Sequence, residues 1–559
     1  MTPKEEAAIA LFESRMLEAT GYTSEEYGKV RDVGPTSLAH VQLYGKLIDE
    51  SGVVVLLEKW AAEARRSNAG RKPIIPFRAA LVLHLMHSKK GNIRYHDIAR
   101  TLHAQLPRTA FEYLGITTTI GDHDEWYMRF WKALNRILAL LSPWDVPRNT
   151  FLSAEAYRRA HETYSKERRD RMDIIMNALA HASARRLPEA IRKTYKGNVA
   201  LDATAVTLTG RPNPRIYNLD SPRYNLDAMS GPYTREGEHE GDGRRSDKPA
   251  WEVETVVTVP NTPGDIGSFP FLTTGITMHA PGKVKHGPLI AVRFHTKLFD
   301  ERGFILVDRN YNNLKSHRFQ NPTRMMGFRH VYNFKDKKRE AVEGAIGDVI
   351  AVDGCLYVKW MPIDLINATY NFHHEDPEQR IDEATYREHL RSRTAYRLKN
   401  LGYPDAEGRQ RFMFPDLSKV ACFDTVVHDK PVRPKLAQRT FTLAPDSDEA
   451  MRIIKHLMHF EYRSPEWFKW AGQRSHVEAN NQYLKREGGS DLGDPRRRRP
   501  RGYAFQALAI ASATAVSNLS RIVTFLEAAV NRVISATDRR RARRRRDEHG
   551  NRLEHPTRV

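Results

Sequence analysis

Three carboxylates, Asp202, Asp308 and Glu478, stand where an ionised side chain needs a reason. Asp202 interrupts the run Val-Ala-Leu-Asp-Ala-Thr-Ala-Val-Thr-Leu at 199–208, which reads as a buried strand. An ionised carboxylate in such a strand is costly unless it is paired or binds a cation. Asp308 directly follows Phe-Ile-Leu-Val at 304–307, the carboxyl end of another strand, where open α/β sheets place their ligands. Two hard divalent cations need a third acid, and Glu478 is the best candidate. At about 100° per residue, Arg474, Glu478 and Lys485 fall within roughly 40° of one helical face. Asn481 joins that face, with Val477 and Leu484 beside it to pack inward. Each residue also has a plain structural use: an Asp in a strand as a hydrogen-bonder, Arg474 and Glu478 as an i, i+4 ion pair. The ordered combination of strand Asp, strand-end Asp and helix Glu matters more than any one of them, with Arg474 and Lys485 as phosphate-binding cations beside the Glu.

The elements that must position these residues divide the chain. Residues 1–145 read as an N-terminal helical, DNA-binding domain. Within it, an apolar helix at 77–86, a turn at 88–92 and an amphipathic helix through Ile98 and Leu102 form either a helix-turn-helix on DNA or an ordinary helical hairpin with a basic rim. Residues 146–198 read as a helical linker, because 157–171 is dense in both signs of charge. Strands are expected at 199–208, 251–259 and 304–307, with a long charged loop at 219–249. The span 199–340 is the first part of an α/β core and 341–445 a β-rich insertion. The core resumes over 446–535 and a basic tail closes the chain at 536–559. His476 points away from Glu478 in helical projection and reads as structural. Trp360 reads as the core residue of a hairpin or as a stacking platform for an unpaired base.

With 559 residues, two to four domains are expected. The charge balance, 89 − 68 = +21, and a pI near 9.8 call for a polyanionic partner. Hydrophobic residues at 40% and charged ones at 28% exclude a wholly disordered chain. Two cysteines, Cys355 and Cys422, exclude a disulfide-stapled scaffold and a thiolate zinc site. The first thirty residues show no apolar signal core. The stretch 503–519 reads as a buried helix, so no membrane partner is expected and a cytoplasmic, nucleoid-associated protein is. In the tail, Arg539, Arg540, Arg541, Arg543, Arg544, Arg545 and Arg546, with the group 496–499, would bind DNA phosphates through counterion release.

Taken together, these pieces resemble the DDE transposases of bacterial insertion sequences, in the branch marked by Tyr-x2-Arg-x3-Glu-x6-Lys. Arg474-x3-Glu478-x6-Lys485 keeps the last three members at that spacing, while Ala471, next to Trp470, occupies the tyrosine position. Leu-Asp-Ala-Thr at 201–204 is similar to the first-aspartate strand, and Val-Asp-Arg-Asn-Tyr at 307–311 to the second. The gap of 478 − 308 = 170 positions is similar to that of members with a β insertion before the glutamate. The resemblance spans roughly residues 70 to 525. It implies an α/β fold with an RNase H-like catalytic core interrupted by the insertion. Asp202, Asp308 and Glu478 would be both catalytic residues and ligands of two Mg²⁺ ions, with Mn²⁺ as a substitute. The implied activity is cutting and rejoining DNA at the ends of the element. Its partners would be double-stranded DNA, at those ends and at the target, and a second copy of the chain on that DNA. A metal-dependent nuclease that does not rejoin, and a non-catalytic DNA-binding descendant, are the alternatives.

Overall fold

The computed structural model describes residues 2–33, 37–65, 72–147, 150–210, 226–235, 246–282, 286–334, 341–374, 376–427, 430–486 and 490–544, the last eight by their backbone alone. The chain is mixed α/β, as expected, with parallel and antiparallel pairings in its main sheet. That sheet contains β1 (Val199–Thr207), β2 (Gly231–Arg235), β3 (Ser246–Thr258), β4 (Thr273–His279), β5 (Phe304–Val307) and β6 (Arg329–Tyr332). Its order is β2-β3-β1-β5-β6, with β4 also paired to β3. β3 is antiparallel to β1, β2 and β4, whereas β5 and β6 run parallel to β1. The apolar residues Val199, Ala200, Leu201 and 304–307 of β1 and β5 are fully buried. That burial is what a continuous apolar run implies in a strand covered on both faces.

Two expected features change here. The charged loop at 219–249 contains β2, which pairs with the first residues of β3, so β3 begins at Ser246 and not at Trp251. β4 and β6 have no counterpart among the expected strands. Each is short, and Thr- or His-containing sequences such as Thr-Thr-Gly-Ile-Thr-Met-His carry little periodicity. Gly275 in β4 permits a close approach by the helix Gly287–His295, since a Cβ there would lie 2.1 Å from the carbonyl oxygen of Ala291.

The expected linker is a correction. Its helix Lys166–Arg185 is a buried wall of the sheet. Residues 169, 173, 177 and 181 recur every four positions, so they share one helical face, and that face covers the outer edge of β4. Asn177 Nδ2 donates to the Ile276 carbonyl at 2.7 Å, and Asn177 Oδ1 accepts from the Ile276 amide at 2.8 Å. His181 meets the Thr274 carbonyl at 3.0 Å, and Asp173 accepts from Thr277 Oγ1 at 2.8 Å. The strand edge is thereby satisfied by side chains, which blocks edge-to-edge pairing. High charge density marked this segment as solvated. The structure places its uncharged and paired positions inward.

The N-terminal helices do not form a separate body. One apolar core runs from Met16 and Leu47 through Leu83 and Trp126 to Trp251 and Met278 on the sheet. It also holds the helix Tyr503–Arg544, whose apolar segment is long enough to cross a membrane by length and composition but has 78% of that window buried in the fold. Phe77–Lys89 is buried nearly all round, and His84 Nδ1 lies 3.0 Å from Ser512 Oγ. The first helix of the sequence's hairpin is therefore a core helix. Tyr95–Ala104 buries Tyr95, Ile98, Ala99 and Leu102 and keeps Arg100 outward.

The insertion has a core of its own. β7 (Val342–Ile346), β8 (Val349–Val352) and β9 (Cys355–Val358) form one sheet. β10 (Lys399–Asn400) and β11 (Gln410–Met413) form another with β14 (Thr440–Leu443), and β12 (Cys422–Phe423) pairs with β13 (Pro431–Val432). It also contains the helix Glu383–Arg393, and its core takes in Ala450, Ile453 and Ile454 from the helix Asp448–His456. The packing unit thus extends past the expected boundary at 445. Arg393, fully buried, pairs with Asp353 inside the insertion and joins it to the core chain by an ion pair with Glu461 at 2.7 Å. Trp360 packs against this core, in agreement with the structural reading.

Candidate active site

β1 and β5 bring the two aspartates together. Leu201 is the parallel register partner of Val307, so Asp202 and Asp308 are each the next residue on adjacent strands. Asp308 begins a tight turn. Its Oδ1 accepts from the Arg309 amide at 2.7 Å, and its carbonyl accepts from the Tyr311 amide at 3.1 Å.

Glu478 arrives from the helix Ser475–Lys485, which crosses β1 and β3. Val477 and Leu484 are buried beneath it, as the helical projection requires. Two asparagines fasten the helix. Asn480 Nδ2 donates to Thr273 Oγ1 at 2.9 Å, and Asn481 Nδ2 donates to Asp202 Oδ2 at 3.3 Å. Asn481 Oδ1 accepts from Thr255 Oγ1 at 3.1 Å, and Thr255 is the cross-strand partner of Asp202. Asn481 therefore links the glutamate helix to the first aspartate directly.

Arg474 Nη2 lies 2.8 Å from Glu478 Oε1. Burial pushes Asp202 up to about 7, Arg474 opposes that shift, and Glu478 and Glu254 reinforce it. Asp202 thus feels Arg474, Glu478 and Glu254 at once. A divalent cation would favour its ionised form in the way Arg474 does, but more strongly. The donors are all oxygens, which suits a hard cation. Among the described residues, no three His, Cys, Asp or Glu side chains are gathered closely enough to hold a metal ion. The three acids share one region of the sheet, with Glu478 turned to Arg474.

A second set of residues escaped the sequence reading. Glu254 is the register partner of Ala203, so it points to the opposite face of the sheet from Asp202. There its Oε2 accepts from Tyr311 Oη at 2.7 Å, and its Oε1 lies 3.4 Å from His279 Nε2. Burial opposes a charge on His279, but Glu254 and Glu252 outweigh it and raise the imidazole above its ordinary range. Alternating carboxylates in Trp-Glu-Val-Glu-Thr at 251–255 are the available signal, since residues two apart share a strand face.

The remaining cations are distributed differently from expectation. Lys485 is half-buried at the end of its helix, and its carbonyl accepts from the Gly493 amide at 3.0 Å. Within the group 496–499, Arg498 is buried and donates to the Leu492 carbonyl at 2.9 Å, while Arg496 and Arg497 pair with Asp494 at 2.9 Å and Asp491 at 3.0 Å. Only Arg498 of the four is spent inside the fold, whereas Arg496 and Arg499 stay exposed. His476 is a packing residue: its ring centroid is 4.3 Å from that of Phe271 and its Nε2 is 3.1 Å from Gln473 Oε1.

The basic tail also needs a correction. Arg539, Arg540, Arg541, Arg543 and Arg544 do not belong to a separate tail beginning at 536, because they form the last turns of the helix Tyr503–Arg544. Arginine is a good helix former, so a run of it can prolong a helix already anchored in the core. The side chains of Arg539, Arg540, Arg541, Arg543 and Arg544, and the whole of Arg545 and Arg546, lie outside the described residues. The expected DNA contacts of these seven arginines therefore rest on their charge and on the helical backbone that carries the first five.

Compared with family models, with curated proteins and with solved structures, the chain gives no match.

Proposed function

We propose that this chain is a DDE-type transposase that cuts and rejoins DNA at the ends of an insertion sequence, on an RNase H-like core. The observation that carries this reading is the meeting of Asp202 and Asp308 on neighbouring parallel strands beneath the helix that bears Arg474 and Glu478. The strand order supports the fold assignment. The central first strand has antiparallel β3 on one side, itself antiparallel to β2 and β4, and the two parallel strands β5 and β6 on the other. Asp308 follows β5, which is hydrogen-bonded directly to the strand that carries Asp202.

Asp202, Asp308 and Glu478 would hold Mg²⁺ once Glu478 turns from Arg474 to the aspartates, and the ion would supply activation of a water or a DNA 3′-hydroxyl and stabilisation of the leaving 3′-oxygen. The protein's part is to keep its carboxylates in place and to grip the backbone. Asn481 donates to the Asp202 carboxylate, Thr255 Oγ1 donates to the Asp202 backbone carbonyl, and the turn at Asp308 holds its carboxylate by the Arg309 amide. Arg474 has two uses in this reading. It pairs with Glu478 in the free protein, and its fork can pass to a phosphate when Glu478 takes a cation. Lys485 adds a point charge along the same helix. A second copy of the chain on the DNA, and the basic helix end at 539–544, complete the proposed complex.

The test is to incubate the protein with Mg²⁺ and duplex DNA carrying the element's ends, and to resolve nicked from joined products. Asp202→Ala, Asp308→Ala and Glu478→Ala should each lower cleavage by several orders of magnitude and leave end-DNA affinity near that of the unaltered protein. Full cleavage by any of the three removes that residue from the site. Cut but never joined products would support hydrolysis without strand transfer.

A further inference from the structure

Between β6 and the insertion lies a cavity of about 560 Å³ whose walls, among the described residues, carry Arg324, Arg329, Arg397 and Lys399 and no Asp or Glu. Arg324 is buried to 5% exposure. Its Nη2 donates to Gln410 Oε1, but its Nη1 is buried with no hydrogen-bond partner. Arg329 Nε and His330 Nδ1 are buried and unmatched in the same way. Burial pulls Arg324 down to about 10. Burial and then the Arg324 charge bring His330 to about 3, and burial with Arg329 and Arg397 brings His459 to about 4. A buried guanidinium without a counter-charge is costly, and among the described residues none supplies an anion to this cavity.

The rest of the lining narrows the ligand. Paired guanidinium forks match phosphate oxygens. Tyr403 lines the same cavity and is 61% exposed, a flat ring open to stacking, while Phe328 and Phe412 line its apolar part. The volume lies within the usual range for small-molecule sites, about 300–1,000 Å³. The cavity is also separate from the carboxylates. Arg329 pairs with Phe304 at the start of β5, and Asp308 follows that strand's other end, about 13 Å away at the rise of an extended chain.

We propose that this cavity binds a nucleotide through its phosphate, with the base against Tyr403. Two sources carry that chemistry, a free nucleoside phosphate and the 5′-phosphate end of a DNA strand. The proposal does not depend on the assignment of Asp202, Asp308 and Glu478, and Asp202→Ala should bind the nucleotide as the unaltered chain does.

Calorimetric titration of the full-length protein at physiological salt tests it, with adenosine 5′-monophosphate, adenosine, inorganic phosphate and a short 5′-phosphorylated oligonucleotide as probes. Adenosine 5′-monophosphate should bind and adenosine should not. Lys399→Ala and Arg324→Gln should weaken that binding by about tenfold or more, the scale of a lost charge-assisted contact. Tyr403→Ala should weaken the nucleotide and leave inorganic phosphate unchanged. If the oligonucleotide binds and the mononucleotide does not, with the same losses in the variants, the phosphate belongs to a DNA end. Because Arg324→Gln alters a buried site, the exposed Lys399 and Tyr403 decide if that variant fails to fold. Binding that is equal for nucleotide and nucleoside, or undiminished in both Lys399→Ala and Tyr403→Ala, overturns the proposal.

Discussion

Tyr311 Oη donates to Glu254 Oε2 across 2.7 Å, tying the turn that follows Asp308 to the strand beside Asp202. Both side chains are buried, and the Tyr311 ring also packs 5.7 Å from that of Phe319. The two aspartates come from strands β1 and β5, and this bond, on the far face of the sheet, holds the end of β5 in relation to β3.

Tyr311→Phe keeps the ring and removes that bond alone. Glu254 would then retain His279 as its partner, at a cost to stability of about 1–3 kcal/mol. Cleavage should slow and need more Mg²⁺, with DNA affinity unchanged, because the variant loosens Asp308 and touches no cation. Denaturant unfolding and a Mg²⁺ titration of the cleavage rate measure the two effects. Reduced stability with an unaltered Mg²⁺ requirement would confine the bond to a structural role.

Asp202 should make stability depend on pH in the metal-free protein. Its folded pKa, about 7, lies above the ordinary value of 3.8, so the folded state holds this proton more tightly than the unfolded chain. The resulting stability is full below about pH 4 and is lost as pH rises through about 7, on the order of 4 kcal/mol. Asp202→Asn removes the titration. Its melting temperature relative to the unaltered protein should therefore climb between pH 5 and 8, and Mg²⁺ at pH 8 should stabilise only the unaltered chain. Parallel melting curves across that range would refute the buried, protonated carboxyl.

Asn177→Leu tests whether the helix Lys166–Arg185 is part of the catalytic sheet's framework. The substitution is close in volume but strands the amide and carbonyl of Ile276 at a covered edge. A loss of about 2–4 kcal/mol is expected, since both groups stay buried without partners. Faster hydrogen exchange at the Ile276 amide is the specific signature. Unchanged protection there would mean that another group covers the edge.

Deleting residues 539–546 should flatten the salt dependence of nonspecific DNA binding. The segment carries seven arginines, and the slope of log K against log salt is about −0.9 per phosphate neutralised. The backbone is helical to Arg544, and positions at 100° steps cannot all face one DNA surface, so a change of roughly two to five units is expected. Preference for the element's ends should survive, because phosphate contacts carry little sequence information. Titration of random-sequence duplex across a salt series gives the slope, and an equal slope for both proteins would assign the binding charge to the rest of the chain.

The residues legible in the sequence are those whose signal is local. β1 and β5 are apolar runs, and a carboxylate inside one and at the end of the other is visible in a few residues. Arg474, Glu478 and Lys485 share a face by helical arithmetic, and Asn481 falls with them. The apolar stretch 503–519 is recognisable as buried for the same reason. What the tertiary structure decided is nonlocal. The register Leu201↔Val307, the contact of Asn481 with Asp202 across 279 positions, and the partnership of Glu254 with Tyr311 depend on which strands pair. No window of sequence contains them. The helix Lys166–Arg185 shows the same limit from the other side. Its charges describe a solvated helix, and only the neighbouring edge of β4 turns Asn177 and His181 into hydrogen-bond partners of a strand. Composition sets what a segment can bury, whereas the sheet's unpaired backbone groups determine which polar side chains must be buried with it.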